Sequence, residues 1–365
     1  MGNPLLYQIG ISLIPGIGDV NGKKLISFFG DAETVFKSSR KALSSIPGMG
    51  DVLINNILNQ KVLARAEKEI EFIEKYNIRA LYYQDEDFPQ RLLNCYDHPL
   101  MLYYRGTANL NYPRVVAFVG TRRATDYGRT VCRELIEGLA EKDVLLVSGL
   151  AYGIDGCAHH QALASDIPTV GVLGHGLDKL YPSLHKKLAI DMLENGGLLT
   201  DFMSETNPDR ENFPKRNRIV AGMSDAVVVI ESDVKGGALI TAEMANSYNR
   251  DVFAVPGKLE DVYSRGCNFL IKTNKAALVQ SAKDIAYIMG WDDRRAKQQL
   301  QTELFVQLSD DEKALLSLLN EQGTLGIDKL VIHSGITPSK VAAGLLNLEF
   351  SGLVQTLPGK QYKAL

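Results

Sequence analysis

Residues 115–128 read Val115-Val116-Ala117-Phe118-Val119-Gly120-Thr121-Arg122-Arg123-Ala124-Thr125-Asp126-Tyr127-Gly128, and this stretch decides the fold. An apolar strand runs straight into Gly120-Thr121-Arg122, and a helix is expected from near Asp126, a good N-cap residue. A strand ending on glycine and feeding a helix gathers backbone N–H groups and the positive end of a helix dipole, which attract phosphate. Arg122 adds a planar fork of donors suited to bidentate phosphate contact. This turn lacks both the Gly-x-Gly-x-x-Gly dinucleotide pattern and the Gly-Lys-Ser/Thr ending of a P-loop. The expected ligand carries phosphate without being that of an ordinary nucleotide enzyme.

The same alternation continues outward. Short apolar segments at 115–119, 144–148, 169–173, 198–200, 226–231 and 252–255 predict strands. Helical segments at 127–141, 155–165, 183–195, 214–223 and 238–249 separate them. Such alternation implies right-handed crossovers in an α/β, doubly wound, mostly parallel sheet, with ligands at the carboxyl ends of its strands.

Before this domain lies an internal repeat. Ile14-Pro15-Gly16-Ile17-Gly18-Asp19-Val20 returns as Ile46-Pro47-Gly48-Met49-Gly50-Asp51-Val52, each copy leading into an apolar helical segment. The repeat resembles helix-hairpin-helix modules, whose glycine hairpin offers N–H groups to a DNA phosphate. Gly16, Gly18, Gly48 and Gly50 are therefore candidate secondary DNA contacts. Tight turns in a small helical bundle explain the same glycines. Residues 1–76 read as a helical domain closed by an amphipathic helix at 62–76, and 77–113 as a Tyr- and Pro-rich connector. The α/β domain spans 114–289. The charged, Gln-rich stretch 290–310 reads as a linker. Residues 311–365 predict helices at 311–322, 327–334 and 338–350, then a ribbon around Leu357-Pro358-Gly359-Lys360, which resembles a winged helix. Its third helix carries Lys340 as its one base, which favours a protein-interaction or weak DNA role over groove reading.

A chain of 365 residues with 45% hydrophobic and 23% charged residues is a folded protein of two or three domains. No signal peptide and no apolar run of about 18–20 residues is found, so no membrane association is expected. Cys95, Cys132, Cys157 and Cys267 are widely spaced, without metal-ligand spacing. Free thiols in a reducing cytoplasm, with no metal and no cofactor, are the expectation. The net charge of −3 excludes a uniformly basic coat and confines any nucleic-acid site to a local groove.

Polar, glycine-rich turns follow the other strands. They are Ser148-Gly149-Leu150-Ala151-Tyr152-Gly153-Ile154-Asp155, Phe213-Pro214-Lys215-Arg216-Asn217-Arg218, and Lys235-Gly236-Gly237-Ala238-Leu239-Ile240-Thr241. Small residues at helix starts cradle anions. Several cradles on one sheet edge suit a row of phosphates, as in a strand of nucleic acid, and Phe213 and Tyr127 offer rings for base stacking. Turn chemistry alone explains Gly149, Gly153 and Gly236, and ion pairing with Glu211 or Asp225 explains Arg216 and Arg218. His159-His160 reads as helix packing rather than metal ligation, and His175 as a turn residue or a ligand contact.

At these residues the chain resembles the DNA processing protein A (DprA or Smf) family. The matching pieces are Val119-Gly120-Thr121-Arg122 with Tyr127-Gly128, the 148–155 turn with Ala158-His159, Phe213 to Gly222, and Gly236 to Ala242. The resemblance implies an extended Rossmann-like domain that dimerises and has no catalytic residues. It implies cooperative binding of single-stranded DNA, protection of incoming DNA in natural transformation, and loading of the RecA recombinase. It points to Gly120, Thr121, Arg122, Lys215, Arg216, Asn217 and Arg218 as backbone contacts. With Tyr127, Ser148, Gly149, Gly153, Phe213, Gly236, Gly237 and Thr241 they make up the candidate site. Where the family commonly has Ser, this chain has Ala238, which removes one hydroxyl. The competing reading is a nucleotide phosphoribohydrolase. Of that family's Pro-Gly-Gly-x-Gly-Thr-x-x-Glu signature this chain keeps Gly236, Gly237 and Glu243.

Overall fold

Seven parallel strands form the centre of one sheet, and the apolar runs around residue 115 supply its middle. The computed structural model describes residues 3–291, 308–357 and 361–365. It divides into a unit ending at Trp291 and a C-terminal unit. The stretch 290–310, read as a linker, lies largely outside the described residues.

The first unit begins with helices α1 (Pro4–Leu13), α2 (Asp19–Phe29), α3 (Ala32–Lys37), α4 (Arg40–Ser44), α5 (Asp51–Leu58) and α6 (Leu63–Lys75). The two Pro-Gly-x-Gly turns precede α2 and α5. Gly16 and Gly48 take φ of +79° and +78°, which L side chains rarely adopt. The bundle core, Ile9, Ile11, Leu25, Leu43 and Ile54, continues into Tyr82, Leu100 and Met101 of the sheet domain. The helical module is therefore seated on the sheet.

The α/β part comprises β1 (Arg79–Tyr82), α7 (Gln90–Leu93), β2 (Met101–Gly106), β3 (Arg114–Val119), α8 (Asp126–Glu137), β4 (Val144–Ser148), α9 (Ile154–Ala164), β5 (Thr169–Val172), α10 (Lys186–Glu194), β6 (Gly196–Thr200), α11 (Asn212–Gly222), β7 (Ala226–Val229), α12 (Gly237–Ser247), β8 (Asp251–Ala254), α13 (Arg265–Lys272), β9 (Ala277–Leu278) and α14 (Ala282–Ile288). The spatial order is β1-β2-β6-β5-β4-β3-β7-β8-β9. From β6 to β9 neighbours are parallel. Val115 and Ala117 of β3 pack on one face while Val116 and Phe118 pack on the other, which explains the unbroken apolar run. The chain reverses its winding at β3 and β7, so the turns after these strands face a topological switch point.

Residues 77–113 are not merely a connector. β1 and β2 extend the sheet, with β2 antiparallel to both β1 and β6. The junction is tight: a Cβ on Gly196 would stand 1.9 Å from the Thr169 carbonyl oxygen, and Tyr104 Oη lies 2.7 Å from the Gly196 carbonyl oxygen, to which it donates.

The C-terminal unit contains α15 (Asp310–Gln322), β10 (Leu325–Gly326), α16 (Ile327–Ser334), α17 (Pro338–Phe350), β11 (Val354–Leu357) and β12 (Gln361–Ala364). A Ser309/Glu312 capping box starts α15. Leu315, Leu330, Val341 and Leu345 form the core of this winged helix. Lys340 of α17 pairs with Asp311 at 3.1 Å, so the helix's one base is already engaged.

Candidate nucleic-acid interface

The turns after β3 and β4 interlock. Ile154 N donates to the Thr121 carbonyl at 3.2 Å, and Thr121 N donates to the Glu231 carbonyl at 2.7 Å. Gly153, at φ +79°, passes so close that a Cβ would lie 2.2 Å from the Thr121 oxygen. A Cβ on Gly120 would meet Ile154 at 2.5 Å. Both glycines are thus required by the contact between the two turns. The N-cap of α8 is Thr125 rather than Asp126: its hydroxyl accepts from Gly128 N at 3.1 Å. The buried Glu231 carboxylate accepts in turn from Thr125 N, at 2.9 Å, and from the Thr125 hydroxyl. Sequence reasoning missed Glu231. Its signal is a carboxylate at the end of an apolar strand, Val228-Val229-Ile230-Glu231.

Arg122 is exposed on this frame, with its guanidinium 5.2 Å from the centre of the Phe213 ring. Tyr181, a second ring missed by sequence reasoning, lies 6.1 Å from Phe213 and is half exposed. Lys215 and Gly237 are exposed, Asn217 is half-buried, and nothing stands within 4 Å of a Cβ on Gly237. Tyr127 keeps an exposed ring while its hydroxyl donates to the Pro256 carbonyl at 2.7 Å. The surface therefore offers cations, rings and the N-terminus of α12 along the carboxyl edge of the sheet.

Other expected contacts prove internal. Ser148 is buried and donates to the Phe118 carbonyl at 2.6 Å. Thr241 is buried in α12, where Ala238 is buried too. Gly149 is enclosed, and Arg216 is only 5% exposed. Arg216 turns inward to donate to the Val172 carbonyl and interacts with the buried Asp155. Burial pushes the Asp155 carboxyl up and Arg216 down, while each charge opposes the shift of the other. Ser148 and Gly149 at the end of β4, Arg216 of α11 and Thr241 of α12 thus frame the cradle from behind.

His159 is also interior, 2.7 Å from Thr169 Oγ1 and 2.6 Å from the Gly149 carbonyl oxygen; burial lowers its pKa to about 4. His175 is buried, with Nε2 accepting from Tyr181 N at 3.2 Å. Among the described residues no group of three His, Cys, Asp or Glu side chains is placed to hold a metal ion.

Comparisons with known proteins decide the family. The model of the DNA recombination-mediator protein A family matches residues 79–290, and that of the DprA winged helix domain matches 301–360. The chain belongs to the DprA/Smf family. Protein Smf of Synechocystis is 32% identical over 98% of both chains. DNA processing protein DprA of Streptococcus pneumoniae is 41% identical over 55% of this chain and 71% of its own. The X-ray structure of the pneumococcal protein superposes with a TM-score of 0.67, at 31% identity, over 79% of this chain and 98% of that one. A structure of DNA processing protein A from Helicobacter pylori, described for its single-stranded DNA binding mode, reaches 0.54 at 29% identity over 60% of this chain and 97% of that one.

In this DprA/Smf chain the last of the expected cations, Arg218, ties the helical module to the sheet. Its Nη2 bridges Asp19 at 2.9 Å and Asp201 at 2.7 Å, and Nη1 donates to the Asp97 carbonyl. Burial opposes the guanidinium charge, and Asp201 and Asp19 more than offset it. The partners are Asp19, Asp201 and Asp97, not the Glu211 or Asp225 that spacing suggested. Asp225 is instead gripped by Arg91 at 2.7 Å. Asp19 also accepts from Leu100 N, so the hairpin of Gly16 and Gly18 abuts the sheet domain. Among the described residues the hairpin of Gly48 and Gly50 has no such tie to the sheet domain. Glu243, the one carboxylate of the hydrolase signature, is exposed and pairs with Lys275 at 3.6 Å. Among the described residues no helix is long and apolar enough to cross a membrane.

Proposed function

We propose that this DprA/Smf chain binds single-stranded DNA along the carboxyl edge of its sheet. The observation that carries the reading is Arg122 stacked on Phe213, beside Tyr181 and above the interlocked turns. A cation fixed against aromatic rings matches what single strands present: a phosphate at each step and an unstacked base. Family membership supports the same ligand, as does the binding mode described for the H. pylori protein. Gly120, Thr121, Arg122, Tyr127, Phe213, Lys215, Asn217, Gly236 and Gly237 are the proposed contacts. Ser148, Gly149, Gly153, Arg216, Arg218 and Thr241 hold the frame.

The rest of the reading follows the family: a cytoplasmic homodimer, joined through the Rossmann-like domain, that protects incoming DNA and loads RecA. The hairpin of Gly48 and Gly50 is a second place for a backbone phosphate. The deciding experiment is fluorescence anisotropy with a labelled oligo-dT at two salt concentrations, with an equal-length duplex as control. Salt-sensitive binding that prefers the single strand is expected. Equal binding to the duplex, or none, overturns the reading.

A further inference from the structure

We infer that Cys132 and Cys157 form a peroxide-sensitive dithiol whose oxidation loosens the grip of the phosphate cradle. The inference rests, for its effect on DNA, on the reading just given. The two thiols lie on adjacent helices, Cys132 in α8 and Cys157 in α9, far apart in sequence, and Cys157 packs against the buried layer that contains Cys132. Cys132 is buried within the layer that also holds Leu135, Ile136 and Ala158. Cys157 is half-buried, open to a molecule as small as peroxide, and its Sγ lies 3.7 Å from the Arg129 carbonyl oxygen. Interaction with the Cys132 thiol lowers the Cys157 thiol to about 7, with Arg133 and Arg129 acting in the same direction against burial. A half-buried thiol beside arginines and a resolving thiol is the environment of redox-sensing cysteines. The other thiols do not compete. Cys95 and Cys267 are buried with raised pKa, Cys267 to about 12.

The chemistry balances with hydrogen peroxide as oxidant. The Cys157 thiolate attacks one peroxide oxygen, the O–O bond breaks, and hydroxide leaves to become water. The resulting sulfenic acid is attacked by the Cys132 sulfur. The S–S bond forms, the S–O bond breaks, and the hydroxyl departs with the Cys132 proton as a second water. The peroxide is reduced and the pair of thiols oxidised.

Disulfide formation must alter the α8–α9 packing, because it draws two separate thiols together to an S–S bond of about 2.05 Å. The N-termini of these helices carry the cradle. Gly120 has no room for a Cβ beside Ile154 of α9, and Gly153 has none beside Thr121 and Arg122. A shift of α9 relative to α8 therefore displaces Arg122.

The test is peroxide titration of the full chain, read by intact mass, by peptide mapping and by oligo-dT anisotropy. The expected result is loss of two hydrogens, a cross-linked peptide joining Cys132 to Cys157, and a several-fold loss of affinity that dithiothreitol reverses. Cys157→Ser should yield no cross-linked peptide and keep its affinity under the same treatment, methionine sulfoxide being scored separately in the peptide map. Cys132→Ala should stop at a trappable sulfenic acid on Cys157. If either variant misfolds, the wild-type mapping still decides. A chain that binds oligo-dT but keeps both thiols overturns the inference, and so does a disulfide that leaves affinity unchanged. A reduced chain that fails to bind oligo-dT overturns the DNA reading instead, and the thiol mapping still reports on the dithiol.

Discussion

Gly149 and Arg216 occupy one space: a Cβ on Gly149 would stand 2.3 Å from Arg216 Nη1 and 2.4 Å from Asp155 Oδ2. The guanidinium fills the volume that any other residue at 149 would need. Gly149→Ala must therefore expel Arg216 or bend the β4–α9 turn. Overpacking of this kind costs about 1–3 kcal/mol. A urea titration is expected to show a lower midpoint for the variant, and an equal midpoint would contradict the packing described.

Arg122 and Arg216 should part company in their salt dependence. Arg122 is exposed on the cradle, whereas Arg216 is sealed beneath it. Arg122→Ala is expected to weaken oligo-dT binding by about 1.5–3 kcal/mol, as removal of a charged hydrogen bond should. It should also flatten the slope of log K against log salt by about 0.7 for each phosphate that the side chain no longer neutralises. Arg216→Met takes no cation away from a phosphate, so its slope should match the parent. It leaves Asp155 buried with one partner fewer, which destabilises by roughly 3–5 kcal/mol. Asp155→Asn in the same chain should recover part of that stability. An Arg216 variant with a flattened slope would place the residue in the groove after all.

The sheet was legible because buried parallel strands leave an unmistakable trace. Residues 115–119 and 144–148 are apolar on both faces, and the structure has strands there. β1 and β2 were harder to place. Their strand-like tyrosines are visible, but pairing with β6 is antiparallel and depends on Gly106 and Gly196 at a distant junction. The site was half legible for a related reason. A polar residue in a glycine-rich turn has the same sequence signature whether it faces a ligand or braces the turn. Arg122 is exposed, whereas Ser148, Thr241 and Arg216 are buried and brace the turns. Only the burial contributed by α9, α11 and α12 separates them. The pairing of Arg218 with Asp19 joins positions far apart in the chain, so no local pattern announces it.

Phe213 should contribute by stacking rather than by charge. Its ring neighbours both Arg122 and Tyr181, with centroid distances of 5.2 Å to the guanidinium carbon and 6.1 Å to the tyrosine ring. Loss of an aromatic platform costs about 1–3 kcal/mol per base. Phe213→Ala is expected to lose affinity of that order with little change in salt slope, and Phe213→Trp should retain most of the binding. Anisotropy at two salt concentrations checks both. A Phe213→Ala chain that binds as the parent does would remove the ring from the interface.

His159 should make the fold sensitive to mild acid. Burial holds its pKa at about 4, against 6.5 for the free side chain. Below 6.5 the unfolded chain takes up a proton that the folded chain refuses, so stability falls as the pH drops from about 6.5 toward 4. That difference corresponds to about 3 kcal/mol over the window. Asp155 and Asp201 act in the opposite sense. Their carboxyls are pushed up by burial, so the folded chain binds those protons more readily and regains some stability as the pH falls. The two effects separate in a His159→Gln variant, which keeps a hydrogen-bonding side chain between Thr169 and the Gly149 carbonyl but cannot titrate. Urea midpoints measured at several pH values from 7 to 4.5 should decline more steeply in the parent than in this variant. Parallel declines would mean that other groups carry the acid sensitivity and that His159 is protonated in the folded chain.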